Sequence, residues 1–135
     1  ALKTMNVDNE NVWAHECKVG QRINRFSQRF DNSDIYAKFL RTHCCRRCDN
    51  QRLIIMLDVA AGIPFARFYP SDGSSGSSRG SFGRHESAVT SRVIQTLIDA
   101  WGDEAFVHND VHLGNVMVDL VQGELRSVTL FDYGV

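Results

Sequence analysis

Apolar residues recur along this chain with two different periods, and the change from one to the other lays out its elements. Across 10–30, Val12, Val19, Ile23, Phe26 and Phe30 return at helical spacing, which predicts an amphipathic helix. Asp8 or Asn9 stands where its N-cap belongs. A second helical stripe, Val89, Val93, Ile94, Leu97, Ile98 and Trp101, covers 88–101, with Gly102 as the predicted C-cap. Both stripes predict core-facing surfaces. Residues 53–57 form instead an unbroken apolar run of strand length, which predicts a strand covered on both faces. Residues 116–118 and 125–131 read as strands joined by a turn at Gln122-Gly123-Glu124. Residues 1–5 read as the end of a further strand. Residues 35–40 fit either a short helix or a strand, and 58–64 an extended connector.

Polar positions refine this outline. Residues 71–87 are dominated by Ser and Gly and hold too little apolar surface to order themselves, so they predict a flexible insertion or linker. Within them Gly80-Ser81-Phe82-Gly83 imitates part of a phosphate-binding glycine loop, but its position favours the linker reading. Glu16 interrupts the first helical stripe, four residues after Val12 and three before Val19. A carboxylate on an apolar face is costly unless paired, so Glu16 requires a cation.

Composition adds bounds rather than detail. The 135 residues suffice for one modest domain. Hydrophobic content of 43% and charged content of 23% are ordinary for a globular chain. A net charge of -1 gives no sign of a nucleic-acid or membrane surface. No apolar run approaches the roughly 20 residues that span a bilayer, and no charged-then-apolar leader is visible. An intracellular protein, cytoplasmic or nuclear, is expected. The four cysteines are Cys17, Cys44, Cys45 and Cys48. Cys45 and Cys48 have C-x-x-C spacing and His43 could add a ligand, but a second pair for zinc is missing. Reduced thiols in a turn are the expectation, with Arg46 and Arg47 lowering the pKa of their neighbours.

Candidate chemistry concentrates in His108-Asn109-Asp110-Val111-His112-Leu113-Gly114-Asn115. Asp110 precedes the amide of Asn115 by five residues, and Asp132 of Asp132-Tyr133-Gly134 follows Asn115 by seventeen, beyond the predicted hairpin. Phosphoryl transfer from a nucleotide needs such a set: one carboxylate for the acceptor hydroxyl, and an amide and a carboxylate for Mg²⁺. His108 reads as a structural histidine hydrogen-bonded near the Asp-Tyr-Gly turn. His112 has two readings, one standing behind the groups that contact the ligand and one touching phosphate.

The order H-x-D-x-x-x-x-N followed by D-Y-G resembles the catalytic core of the protein-kinase-like fold, and the resemblance extends over nearly the whole chain. Ala1-Leu2-Lys3 is similar to the V-A-I-K strand end, which implies Lys3 as the nucleotide lysine. Glu16 is then the helix glutamate that pairs with it. Residues 53–57 become the strand before the hinge, and Val59-Ala60-Ala61-Gly62 the gatekeeper and hinge. The backbone near Ala60 and Ala61 would bond adenine, with Met56 and Val59 lining its pocket. Residues 88–101 become the helix beneath the catalytic loop. The implied fold is α+β and protein-kinase-like, truncated: 1–62 a partial N-terminal lobe, and 63–135 a partial C-terminal lobe carrying the 71–87 insertion.

The resemblance also implies roles. Asp110 is the catalytic base, with Asn115 and Lys3 beside it. Lys3, Glu16, Val59, Ala60, Ala61 and Asp132 surround ATP, and Asn115 and Asp132 hold Mg²⁺. His112 stands where ordinary protein kinases have lysine, and Tyr133 replaces the usual phenylalanine. In these respects the chain resembles haspin-like and large-DNA-virus serine/threonine kinases. It is more distantly similar to the aminoglycoside and choline phosphotransferases, which share D-x-H-x-x-N. The expected activity is ATP-dependent phosphoryl transfer, with a nucleotide and a protein substrate as partners, and neither nucleic acid nor membrane. A small-molecule acceptor is the alternative. A pseudokinase or binding module is the third reading, because no glycine-rich loop precedes Lys3 and no activation segment follows Val135. Retention of Lys3, Glu16, Asp110, Asn115 and Asp132 argues for the enzyme.

Overall fold

A computed structural model describes residues 2–6, 9–29, 34–49, 52–69 and 83–133, with the backbone alone at 2–6, 44–49 and 52. The chain is α+β. Its helices are α1 (Glu10–Gln28) and α2 (Glu86–Glu104). Its strands are β1 (Leu2–Asn6), β2 (Lys38–Phe39), β3 (Thr42–Asp49), β4 (Arg52–Leu57), β5 (Ile63–Pro64), β6 (Val116–Val121) and β7 (Glu124–Leu130). One sheet has the antiparallel order β1-β4-β3, and the other the order β2-β7-β6-β5, with β2 parallel to β7.

Helix α1 buries Cys17, Gly20, Ile23, Phe26 and Ser27 along one face. Val12, expected on that face, is 53% exposed; the indole N–H of Trp13 holds this end of the helix instead, donating to the Ile54 carbonyl at 3.1 Å. Asn9 occupies the N-cap position without a side-chain capping bond. Gly20 marks a close crossing, since a Cβ there would lie 2.7 Å from the Thr42 Cβ. Cys17 is disulfide-bonded rather than a lone thiol, and its partner lies outside the described side chains.

Helix α2 departs further from its expected stripe. Val89, Val93, Thr96 and Ala100 are buried, whereas Ile94, Ile98 and Trp101 are 52%, 57% and 61% exposed. The buried face is chosen by a hydroxyl as well as by apolar area. Thr96 Oγ1 accepts the Ala37 N–H at 2.8 Å and lies 2.8 Å from the Arg92 carbonyl, within donating distance. Gly102 is not the cap, because the helix runs through it to Glu104. The turn is made by Ala105, whose φ of 51° is left-handed and whose N–H returns to the Trp101 carbonyl at 3.0 Å.

The ambiguous 35–40 segment becomes strand β2 because buried hydroxyls hold its backbone. Thr96 takes Ala37, and Ser27 Oγ accepts the Phe39 N–H at 2.9 Å. The cysteine segment is a strand and not a turn. β3 pairs along β4, with a register shift between Cys45 and Asp49. His43 Nε2 lies 2.9 Å from Asp58 Oδ1, so His43 is engaged with a carboxylate across the strand ends. In β4 the apolar run is only half covered, with Leu53 and Ile55 buried and Met56 38% exposed.

The β6–β7 hairpin turns at Gln122 and Gly123, both at positive φ (53° and 78°), the geometry of a type I′ turn. The Gly123 carbonyl accepts from Arg84 at 2.6 Å and from His85 at 2.7 Å, fastening the start of α2 to the turn. Residues 70–82 lie outside the described set. Beyond them a turn at 83–85 leads directly into α2, so the end of the predicted insertion is ordered.

One core packs both helices against the β2-β7-β6-β5 sheet. Ile23, Phe26 and Phe39 share it with Val89, Phe106, Val118, Val128 and Leu130, each large side chain contributing about 1.5–3 kcal/mol on full burial. Arg22–Glu104 and Arg29–Asp103 ion pairs at 3.0 and 3.1 Å link α1 to α2. They are exposed and add little. Among the described residues no helix is long and apolar enough to cross a membrane.

Candidate active site

The loop between α2 and β6 is built on His108, which is 2% exposed. Its Nε2 donates to the Phe131 carbonyl at 2.7 Å and its Nδ1 accepts the Asp110 N–H at 3.2 Å. One nitrogen donating and one accepting describes a neutral imidazole of fixed tautomer. Burial holds its pKa below the ordinary histidine value, against the opposing pull of the Phe131 carbonyl, Asp110 and Asp132. The predicted structural role of His108 near the Asp-Tyr-Gly turn is thus its observed geometry. Asn109 sits at φ 72°, a left-handed conformation that asparagine tolerates better than most residues.

Asp110 and Asn115 come together across one short 3₁₀ turn. Asn115 Nδ2 lies 3.0 Å from the Asp110 carbonyl and 3.2 Å from Asp110 Oδ2, while the amide itself is buried. The Asn115 N–H closes the turn on the His112 carbonyl at 2.9 Å. His112 Nδ1 accepts the Gly114 N–H at 3.0 Å, and its Nε2 faces Asp110 Oδ2 at 3.7 Å. With Nδ1 accepting, a neutral His112 carries its proton on Nε2, toward the carboxylate. Gly114 is part of this seat, because a Cβ there would lie 2.9 Å from His112 Cε1.

The hairpin delivers Asp132 to the same end. Val116 pairs with Leu130, and the Phe131 N–H bonds the Asn115 carbonyl at 3.1 Å. Residues entering β6 and leaving β7 therefore stand side by side. Asp132 is exposed and lies at φ 54°. Tyr133 follows it inward. Its hydroxyl donates to the Leu40 carbonyl and meets Thr42 Oγ1 at 3.1 Å. Its ring packs edge-on against Phe39 and Phe106, with centroids at 5.5 and 5.8 Å, and burial raises its pKa.

Above this, Glu16, Leu40, Thr42, Ile55, Leu57, Asp132 and Tyr133 line one small cavity of about 30 Å³. Glu16 and Asp132 thus line the same cavity. Lys3 stands opposite Ile55 in the β1–β4 register; its side chain, and with it the predicted pair to Glu16, lies outside the described residues. The predicted hinge residues Val59, Ala60 and Ala61 lie in the connector between β4 and β5. Val59 is 85% exposed, and Ala61 is also on the surface. Gly62 fixes the connector, since its φ of 103° and its approach to the Val118 carbonyl leave no room for a Cβ. Sequence reasoning missed Thr42 and Leu40, which carry no motif and meet Tyr133 only in the fold.

The donor chemistry of the Asn115–Asp132 end suits Mg²⁺. With Nδ2 turned to Asp110, Asn115 keeps its amide oxygen for another partner, and Asp132 adds an exposed carboxylate. Mg²⁺ is held by one or two such hard oxygens, with water and phosphate oxygens completing the octahedron. Among the described residues no three His, Cys, Asp or Glu side chains stand together as a metal cluster. Comparison with protein-family models, with curated proteins and with solved structures found no match to this chain.

Proposed function

We propose that this chain is an Mg·ATP-dependent phosphotransferase of protein-kinase-like fold, acting on serine or threonine of a protein. The observation that carries the reading is the joining of Asp110 to Asn115 by two contacts at 3.0 and 3.2 Å, on the same hairpin end as Asp132. In this reading Asp110 orients the acceptor hydroxyl and takes its proton. Asn115 contributes an amide oxygen, and Asp132 a carboxylate, to the ion. Mg²⁺, when bound, neutralises charge on the phosphates. Neutral His108 keeps the Asp110 backbone and the Asp132 turn in register without adding positive charge. Lys3 and Glu16 supply the phosphate-side pair, and the division into lobes near residue 62 belongs to the same proposal.

A second reading is favoured by one observation. The cavity holding Glu16 and Asp132 measures about 30 Å³, whereas small-molecule and cofactor pockets are roughly 300–1,000 Å³. A binding module that keeps the loop without turnover fits a cleft so closed. The discriminating experiment follows transfer from γ-labelled ATP to Ser/Thr peptides, to aminoglycosides and to choline, with and without Mg²⁺. The proposal expects Mg²⁺-dependent peptide labelling. Labelling of a small alcohol alone would move the acceptor class. No labelling and no Mg·ATP thermal shift in a folded sample would select the binding module.

A further inference from the structure

The Tyr133 hydroxyl reaches backwards across the molecule, away from the reacting end, to the strands that lead out of α1. It donates to the Leu40 carbonyl and lies 3.1 Å from Thr42 Oγ1. Thr42 is itself clamped. The Asn24 side chain of α1 donates to the Thr42 carbonyl at 2.8 Å and accepts the Thr42 N–H at 3.0 Å. The close crossing at Gly20 seats Thr42 directly against α1. On its other side Tyr133 is bonded directly to Asp132, whose φ of 54° is left-handed for a side chain with a Cβ. Such a conformation persists only where its surroundings hold it. The Phe131 carbonyl, bonded to His108 at 2.7 Å, secures the residue before. The hydroxyl secures the residue after.

We propose that the Tyr133 hydroxyl, through Thr42 and Asn24, is a positioning group that fixes the Asp132 carboxylate and couples it to the seat of α1. This rests on the reading of Asp132 as the ion-holding carboxylate, but the mechanical part does not. Tyr133→Phe keeps the ring contacts and deletes only the hydroxyl; Thr42→Val deletes its partner. Two measurements on the full chain decide the matter. Hydrogen exchange of the Phe131 amide reports the hold on the turn without any ligand. The Mg²⁺ concentration giving half-maximal ATP binding reports the carboxylate. In Tyr133→Phe both rise about tenfold, the change that one ordinary hydrogen bond makes in an equilibrium. Thr42→Val moves both the same way by less. The double variant goes no further than Tyr133→Phe, as residues acting through one contact must. Unchanged exchange in a folded Tyr133→Phe, or strictly additive effects of the two substitutions, would overturn the coupling. If the wild-type chain binds no Mg·ATP while exchange responds as stated, the functional reading fails and the positioning role stands. If ATP binding needs Mg²⁺ in the wild type but its half-saturation is unmoved in Tyr133→Phe, the role in positioning the carboxylate is wrong.

Discussion

The loop and hairpin of 108–133 and the cleft above them are held by different kinds of interaction. In the lower region the groups of the 108–115 loop are fixed within the loop and its hairpin. His108 is held by Asp110 and Phe131, Asn115 by Asp110, and His112 by Gly114. In the upper region the groups depend on pairing between distant segments. Lys3 is set by β1 against β4, Glu16 by the seat of α1, and the connector by Gly62 against β6. The lower region is therefore a preorganised unit, while the upper one is only as well formed as the sheet that carries it.

Substitutions can break or sharpen this contrast. The largest effect is expected at Asp110, where Asp110→Asn lowers the transfer rate about 10²–10⁴-fold and leaves the melting temperature almost unchanged. Next is Gly62→Ala. It forces a Cβ onto the Val118 carbonyl at a φ of 103° and is expected to destabilise the fold by about 3 kcal/mol, measured by urea unfolding. His108→Ala removes a buried ring and leaves the half-buried Phe131 carbonyl and the Asp110 N–H without this partner, and costs about 2–3 kcal/mol. If the Gly62 substitution instead proves milder than the His108 one, the connector yields more readily than the loop.

The same histidine predicts a pH effect. Its folded pKa lies below the unfolded value of 6.5. Between the two values the unfolded chain binds a proton that the folded chain refuses, so stability rises with pH through that window. Above 6.5 neither state is protonated and the contribution is flat. Urea midpoints should fall as the pH drops below 6.5, and this part of the dependence should vanish in His108→Ala. The smallest effect is expected on the outer face of α2. Ile98→Gln, at a position 57% exposed, should stay within about 0.5 kcal/mol of wild type.

What could be read in the sequence follows the same division. The D-x-x-x-x-N spacing and the Gln122-Gly123 turn are local, so their residues announced the loop and the hairpin directly. The helices were visible from period alone. Their faces were not, because the Thr96 hydroxyl serves the Ala37 backbone and carries that side of α2 inward. The strand at 42–49 was hidden among polar and cysteine residues, since pairing with β4 decides it. The Tyr133–Thr42 contact spans 91 residues and has no local signal at Thr42.

The account turns on Asp110, Asn115 and Asp132 being set for phosphoryl transfer. The most direct test compares wild type and Asp110→Asn for Mg²⁺-dependent movement of the ATP γ-phosphate onto Ser/Thr peptides, with both proteins confirmed folded. The account predicts labelled peptide from the wild type and a loss of about 10²–10⁴-fold in the variant. Equal labelling by both proteins, or none from a folded wild type, would contradict it.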